Sequence, residues 1–185
     1  MRVSNVEVCN WAYTGKFEEL ERCVLSDSSQ ATRTDQVCGQ TALHWACSAG
    51  RVEIVQFLLD LGAELNAVNQ NGCTPLHYAI AQILLENGAD PNAMDKLEST
   101  PLHRASAKGN YRLIQLLLKE SASTNIQDSE GNTPLHLACD EERTEAAKLL
   151  VEHGASIYIE NKEKMTPLQV AKGGLGSVLK RIVEG

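Results

Sequence analysis

Apolar positions fall in short runs at helical spacing, and polar or glycine-containing segments separate them. Ile54 to Leu59, Leu113 to Leu118 and Ala146 to Val151 each read as one amphipathic helix. Gly62 and Gly154 follow two of these runs, where a residue that enters the αL region at little steric cost suits a helix end. Ahead of the runs lie shorter segments that begin at a threonine: Thr41-Ala42-Leu43-His44, Thr74-Pro75-Leu76-His77, Thr100-Pro101-Leu102-His103, Thr133-Pro134-Leu135-His136 and Thr166-Pro167-Leu168-Gln169. Threonine offers an N-cap oxygen to orphan amides, and proline at the next position loses no bond for want of its N–H. Each segment therefore predicts a first helix with a fixed start. Ala46, Ala79, Ala105 and Ala138 give these helices a small-residue side that permits close stacking, and Gly50 and Gly109 mark the break before the second helix. Asn71-Gly72 and Glu130-Gly131 predict the tips of hairpin-like crossings between helix pairs.

The capping threonines stand 33, 26, 33 and 33 residues apart. This period with its T-P-L-H pattern resembles the ankyrin-repeat family. The resemblance implies an all-α solenoid of stacked helix pairs with hairpin-like crossings, in which neighbours share one elongated core because no pair buries its apolar face alone. Residues 1–185 then form a single domain. It has an N-terminal capping unit at 1–36, internal units at 37–68, 69–94, 95–127 and 128–160, and a C-terminal capping unit at 161–185. In the first cap Val6 to Tyr13 and Phe17 to Leu25 predict two helices, with Gly15 between them. The unit at 69–94 is seven residues short, since Thr74 stands six residues before Ile80 whereas Thr41 stands thirteen before Ile54. One continuous helix from Pro75 to Glu86 is expected there, flanked by blocks at 1–68 and 95–185, the latter the more stable.

Composition narrows the core. Phe17 and Phe57 are the sole phenylalanines, so Leu, Ile, Val and Ala must fill the interior. The net charge of −7 disfavours nucleic-acid binding, which needs cations to displace counterions. No stretch is long and apolar enough to predict a membrane span or a secretory leader, so no membrane partner is expected. Residues 121–160 hold eight acids against Arg143 and Lys148, a balance that favours basic partners. Cys9, Cys23, Cys38, Cys47, Cys73 and Cys139 show no CxxC pair and predict free thiols in a reducing compartment. Cys38 and Cys73, at crossing tips, are expected to be accessible, and Cys139 buried.

Chemistry-bearing residues follow the repeat. His44, His77, His103 and His136 recur once per unit, so they are spread along the stack; each ring is expected to bond its helix cap or the adjacent crossing. His153, near a helix C-terminus, reads as structural too. The i, i+3 pairs His44/Cys47 and His136/Cys139 lack further ligands for zinc. No phosphate loop, dinucleotide fingerprint or nucleophile elbow is present, so no cofactor and no catalysis are expected.

The positions the repeat leaves free predict a concave protein-binding face: Cys38, Gln40, Trp45, Asn71, Tyr78, Lys96, Leu97, Arg104, Lys108, Glu130, Asp140 and Glu141. Trp45, Tyr78 and Arg104 are of the types enriched in hot spots, though packing between repeats accounts for the aromatics equally well. Leu137, Cys139 and Glu141 match an L-x-C-x-E pattern of the kind that docks into a retinoblastoma pocket. A chance match created by the repeat is an equal alternative, because the segment is predicted helical and Cys139 turned away from the face shared by Leu137 and Glu141.

The runs NQNGCTPLHY (69–78), ASTNIQDSEGNTPLHLACDEER (122–143), GASIYIENK (154–162) and TPLQVAKGGLG (166–176) go beyond the generic repeat and resemble the 26S proteasome-associated regulators within the ankyrin-repeat family. That resemblance implies a non-enzymatic chaperone for assembly of the 19S regulatory particle, binding the C-terminal domain of one AAA ATPase subunit of the base. It also implies an alternative, an adaptor or inhibitor acting on a cyclin-dependent kinase, the retinoblastoma protein and the ubiquitin ligase that controls p53. A chain that is monomeric when free and present in cytoplasm and nucleus is expected. The chain departs from the pattern in being about one unit short and in carrying Gln40 where those regulators have a basic residue.

Overall fold

The computed structural model describes residues 4–78 and 82–185, which divide into two compact units, residues 1–90 and 91–185. In the first unit α1 (Glu7–Thr14) and α2 (Phe17–Ser26) lead through a 3-10 turn, Ser28–Thr32, to α3 (Ala42–Ser48) and α4 (Val52–Asp60). A second 3-10 turn, Pro75–His77, and α5 (Gln82–Glu86) complete it. The second unit holds α6 (Pro101–Lys108), α7 (Tyr111–Lys119), α8 (Pro134–Asp140), α9 (Thr144–Glu152), α10 (Pro167–Val170) and α11 (Leu175–Glu184). Among the described residues there is no strand.

Within each unit first helices pack on first helices and second on second: α1 on α3 in the first unit, α6 on α8 on α10 and α7 on α9 on α11 in the second. The predicted all-α stack of helix pairs is present. Its interior is aliphatic, with Leu20, Leu43, Leu58, Leu76 and Leu84 fully buried in the first unit and Leu102, Ile114, Leu117, Leu135, Leu150, Ile157 and Leu179 in the second. Phe17 and Phe57 meet edge to face at 5.3 Å, between α2 and α4.

Hydrogen bonds explain why the threonine–histidine spacing recurs. The backbone N–H groups of Thr41, Thr74, Thr100 and Thr133 donate to Nδ1 of the histidine three residues on, at 3.0 to 3.2 Å. Since Nδ1 accepts, the proton sits on Nε2, which donates to a carbonyl 29 residues away: His44 to Cys73, His103 to Asn132 and His136 to Met165, each at 2.9 Å. One neutral ring thus caps its own helix and ties it to the next crossing. Burial, opposed by these carbonyl bonds, holds all three histidines below the ordinary imidazole pKa. His153 Nδ1 bonds the Leu149 carbonyl at 2.8 Å, the structural role expected of it.

The crossings have their own code. Asn69, Asp95, Asp128 and Asn161 stand five residues before a capping threonine, and Asp35 six before; each side chain accepts two backbone N–H bonds that close the turn. Tips are then joined, Gln70 N–H to Cys38 O in the first unit, Ser129 to Leu97 and Lys162 to Glu130 in the second, at 2.9 to 3.0 Å. Gly131 cannot be replaced here, because a Cβ would lie 2.8 Å from the Lys162 nitrogen.

The short unit does not follow the sequence expectation. Pro75–His77 is a single 3-10 turn, and Tyr78 has extended backbone at φ −103°, ψ −164°, so a continuous helix from Pro75 to Glu86 does not form. The short interval leaves no room for the residues that would finish the first helix, and the backbone is no longer helical at Tyr78. Ala79, expected on the small-residue side, and Ile80 lie outside the described residues. Cys73 also departs from expectation: it is 3% exposed, because its N–H is held by Asn69 Oδ1 and its carbonyl by His44.

Candidate protein-binding face

The fourth residue after each capping threonine is Trp45, Tyr78, Arg104, Leu137 or Val170. At the first three positions the side chain reaches back to the Asx residue of its own crossing. Trp45 Nε1 donates to Asp35 at 3.0 Å, Asn69 Nδ2 donates to the Tyr78 hydroxyl at 3.1 Å, and Arg104 pairs with Asp95 at 2.6 Å. Burial pushes the Asp95 carboxyl up, but the Arg104 bond and the amides of Ser99 and Leu97 outweigh it, so the group lies below its ordinary pKa. Asp35 is lowered in the same way, by Cys38, Trp45 and Val37 against its burial.

In the first unit this produces a polar cluster. Gln40, predicted on the free binding face, is buried, and its amide donates to the Tyr78 hydroxyl at 2.6 Å. It contributes by fixing Tyr78, a correction to its expected exposure. Trp45 and Tyr78 are partly exposed, and Trp45 meets Tyr13 edge to face at 5.8 Å. Cys38 is half-buried with its thiol against the Asp35 carboxylate at 3.0 Å; burial first, then that carboxylate, push its pKa up. Asn71 is exposed at the crossing tip.

In the second unit Lys96 and Leu97 are exposed at one crossing tip, Arg104 is partly exposed, and Lys108 is exposed in the last turn of α6. The geometry changes where the fourth position becomes aliphatic. Leu137 and Val170 have no polar group to offer Asp128 or Asn161, and Asn161 Nδ2 donates instead to Asn132 Oδ1 at 2.9 Å. A groove of about 260 Å³ opens in the space, floored by Leu137, Val170 and His136 and rimmed by Glu130, Asp140 and Glu163. Asp140 also meets Lys172 at 3.2 Å, with both side chains more than half exposed. Such a surface pair contributes little, so a partner's cation can replace Lys172 there. A mixed floor, in which Leu137 and Val170 lie beside His136, Asn132 and Asn161, with a carboxylate rim suits a lysine or arginine side chain, whose methylene stem can lie on the two aliphatic residues while the head reaches the acids.

Of the predicted residues, Glu130 and Asp140 are thus brought together with Leu137, and Glu141 stands exposed beyond the end of α8. Cys139 is fully buried, its thiol pushed up to about 12 by burial. Leu137 and Glu141 therefore point outward without the cysteine between them. Val170, Asn161 and Glu163 complete the groove. The equal spacing of Trp45, Tyr78, Leu137 and Val170 from their threonines was the signal that locates Val170.

Among the described residues no group of three or more His, Cys, Asp or Glu side chains could hold a metal ion, and no helix is long and apolar enough to cross a membrane. The family model for ankyrin repeats matches the chain three times, at residues 9–95, 80–161 and 102–183. The chain is 59% identical over 73 residues to the human 26S proteasome non-ATPase regulatory subunit 10, and 58% identical over 73 residues to its rat counterpart. The human match covers 40% of this chain and 32% of the relative's length, so the chain matches about a third of that protein. A human BCL-6 corepressor-like protein 1 is 42% identical over 57 residues, which cover 31% of this chain and 3% of that protein. Repeats of this kind are non-catalytic protein-binding scaffolds, and by these matches, its helix pairs and its threonine–histidine caps the chain belongs to the ankyrin-repeat family.

Proposed function

We propose that the chain is a chaperone-like scaffold for assembly of the 26S proteasome 19S regulatory particle, acting in cytoplasm and nucleus through an AAA ATPase subunit of the base. Its similarity to the 26S proteasome non-ATPase regulatory subunit 10 supports this reading. The observation that carries it is the groove of the second unit, where Glu130, Asp140 and Glu163 surround Leu137 and Val170 and offer a seat for a basic side chain. The backbone N–H groups of Glu130 and Glu163 are tied to Asp128 and Asn161, so the crossing tips that carry these acids are held before a partner arrives. The retinoblastoma reading is less favoured, because Cys139 is reached only if α8 leaves its neighbours.

The test is retention of purified C-terminal domains of the base ATPases on the immobilised chain, repeated with Glu130→Lys and Asp140→Lys together. One domain should be retained, and the double reversal should weaken its binding by about ten-fold or more, the cost of placing like charges at a contact. Retention of none, or retention indifferent to the reversal, would overturn the reading.

A further inference from the structure

We propose that Asn71 is a site of spontaneous covalent modification, deamidation to aspartate and isoaspartate, which ages the binding face of the first unit independently of which partner that face takes. The chain holds two Asn-Gly pairs, Asn71-Gly72 and Asn87-Gly88. Glycine on the C-terminal side leaves the following nitrogen open to attack the side-chain amide. In the step, Gly72 nitrogen loses its proton and bonds to Asn71 Cγ, the Cγ–Nδ2 bond breaks, and ammonia leaves. The resulting five-membered imide adds water at either carbonyl, giving aspartate if one C–N bond opens and isoaspartate if the other does. Nothing is oxidised or reduced, and water is the only co-reactant.

The two pairs differ in what restrains them. Asn71 is exposed at the tip of a crossing; its backbone N–H is held by Asn69 Oδ1, but among the described residues its side-chain amide has no hydrogen-bond partner. The one bond that must open is Gly72 N–H to Asn69 O, at 2.9 Å, within a single exposed turn. Asn87 ends a helix, its side-chain amide donates to Ile83 O at 2.8 Å, and Gly88 N–H is a helix-end bond to Leu85 O. Attack at Asn87 requires both restraints to be released together, and attack at Asn71 only one.

The product acts on the neighbouring repeat contact. Asn69 Oδ1 holds the N–H groups of Asn71 and Cys73 together, and Cys73 O receives Nε2 of His44. Isoaspartate at 71 inserts a methylene into the main chain between those two amides, so the turn no longer closes on Asn69. Aspartate adds one negative charge at the same tip without lengthening the chain.

The experiment incubates the intact, folded chain at physiological temperature at neutral and mildly alkaline pH, beside the same chain unfolded in urea. Both Asn-Gly pairs fall in the tryptic peptide from Val52 to Lys96, so fragment ions assign the site, and enzymatic methyl transfer to isoaspartate gives the total. Conversion at Asn71 should outpace that at Asn87 by roughly five- to ten-fold, the rate ratio one further hydrogen bond is worth. Asn71→Gln should remove most of the isoaspartyl signal, and Asn71→Asp measured before incubation should supply the charge alone, since Asp-Gly closes to the same imide by loss of water. Equal or faster conversion at Asn87 would overturn the proposal. So would no conversion at Asn71 in the folded chain over a period in which the unfolded chain converts.

Discussion

Acidification should destabilise this protein through its helix caps before its carboxylates titrate. In His44, His103 and His136 Nδ1 accepts the N–H of the capping threonine, while Nε2 donates to the next crossing. A proton added at Nδ1 would face that N–H donor, lose the cap and leave a charge in a buried site. All three folded-state values are accordingly lowered, with burial as the largest cause. A depressed folded pKa means that the unfolded chain binds more protons, so stability rises with pH. The contribution is complete above the unfolded value of about 6.5 and is lost as pH falls from there toward the folded values. Each ring contributes at most about 1.4 kcal/mol per pH unit, so three together approach about 4 kcal/mol per unit. Against a total of about 5 to 15 kcal/mol for an ordinary domain, a slope of this sign is large enough to measure. Asp35 and Asp95, whose values are also lowered, act in a separate window below the ordinary carboxylate range. Urea unfolding between pH 7.5 and 5 would measure the slope, by far-ultraviolet dichroism for both units and by fluorescence for the first, which holds Trp11 and Trp45. His136→Gln supplies the control, since Gln169 already accepts the Thr166 N–H at 2.8 Å in the last repeat. That variant should lose about 1 to 2 kcal/mol at pH 7.5 and one proton's worth of slope. A urea midpoint that stays level from pH 7.5 to 5.5, or a full slope retained in His136→Gln, would show the mechanism to be wrong.

Other outcomes follow from single positions. Ser121 (φ 62°) and Glu142 (φ 55°) occupy left-handed positions where other repeats carry Gly62 and Gly154, or Gly50 and Gly109. Ser121→Gly or Glu142→Gly should each stabilise by about 0.5 to 1 kcal/mol, the roughly 1 to 2 kcal/mol of relieved strain less the freedom added to the unfolded chain; lower urea midpoints would contradict this. Ser106 is fully buried and its hydroxyl has no hydrogen-bond partner among the described residues, where other repeats hold Cys47 and Cys139, so Ser106→Ala should raise stability by about 1 kcal/mol in chemical denaturation. Alkylation of the native protein followed by peptide mapping should label Cys38 ahead of Cys73 and Cys139, which are buried; labelling of Cys139 first would mean that α8 opens readily. Association with a basic partner should slow as salt rises while dissociation changes little, and a salt-independent association rate would remove the electrostatic role of residues 121–160.

The repeat unit was legible in the sequence because each of its devices is local. A threonine three residues before a histidine fixes a helix start whatever surrounds it, and the structure builds that cap at Thr41, Thr74, Thr100 and Thr133. The second helices at Ile54, Leu113 and Ala146 follow from apolar spacing alone. What escaped the sequence depends on a partner at a distance. Gln40 looked like a free tip residue, yet Tyr78 lies within reach of its amide, a contact no period announces. Cys73 looked like a tip residue too, but its carbonyl is the acceptor for a histidine 29 residues earlier.

Continuous helix from Pro75 to Glu86 was expected because removing seven residues hardly shifts the apolar phase, so the pattern still read as one helix. Periodicity reports which side of a helix is apolar; it does not report where the chain must turn. The requirement for a turn comes from packing. Leu76 and Leu84 are both fully buried in the first unit, and His77 must keep its ring on Thr74 to cap the turn it belongs to. The chain satisfies these demands with one 3-10 turn and extended backbone at Tyr78, and the hydroxyl of Tyr78 is thereby placed on Gln40 and Asn69. The shortened repeat therefore gives up most of a helix and keeps its crossing, its cap and its contact residue, the parts through which a stacked repeat meets its neighbour and any partner.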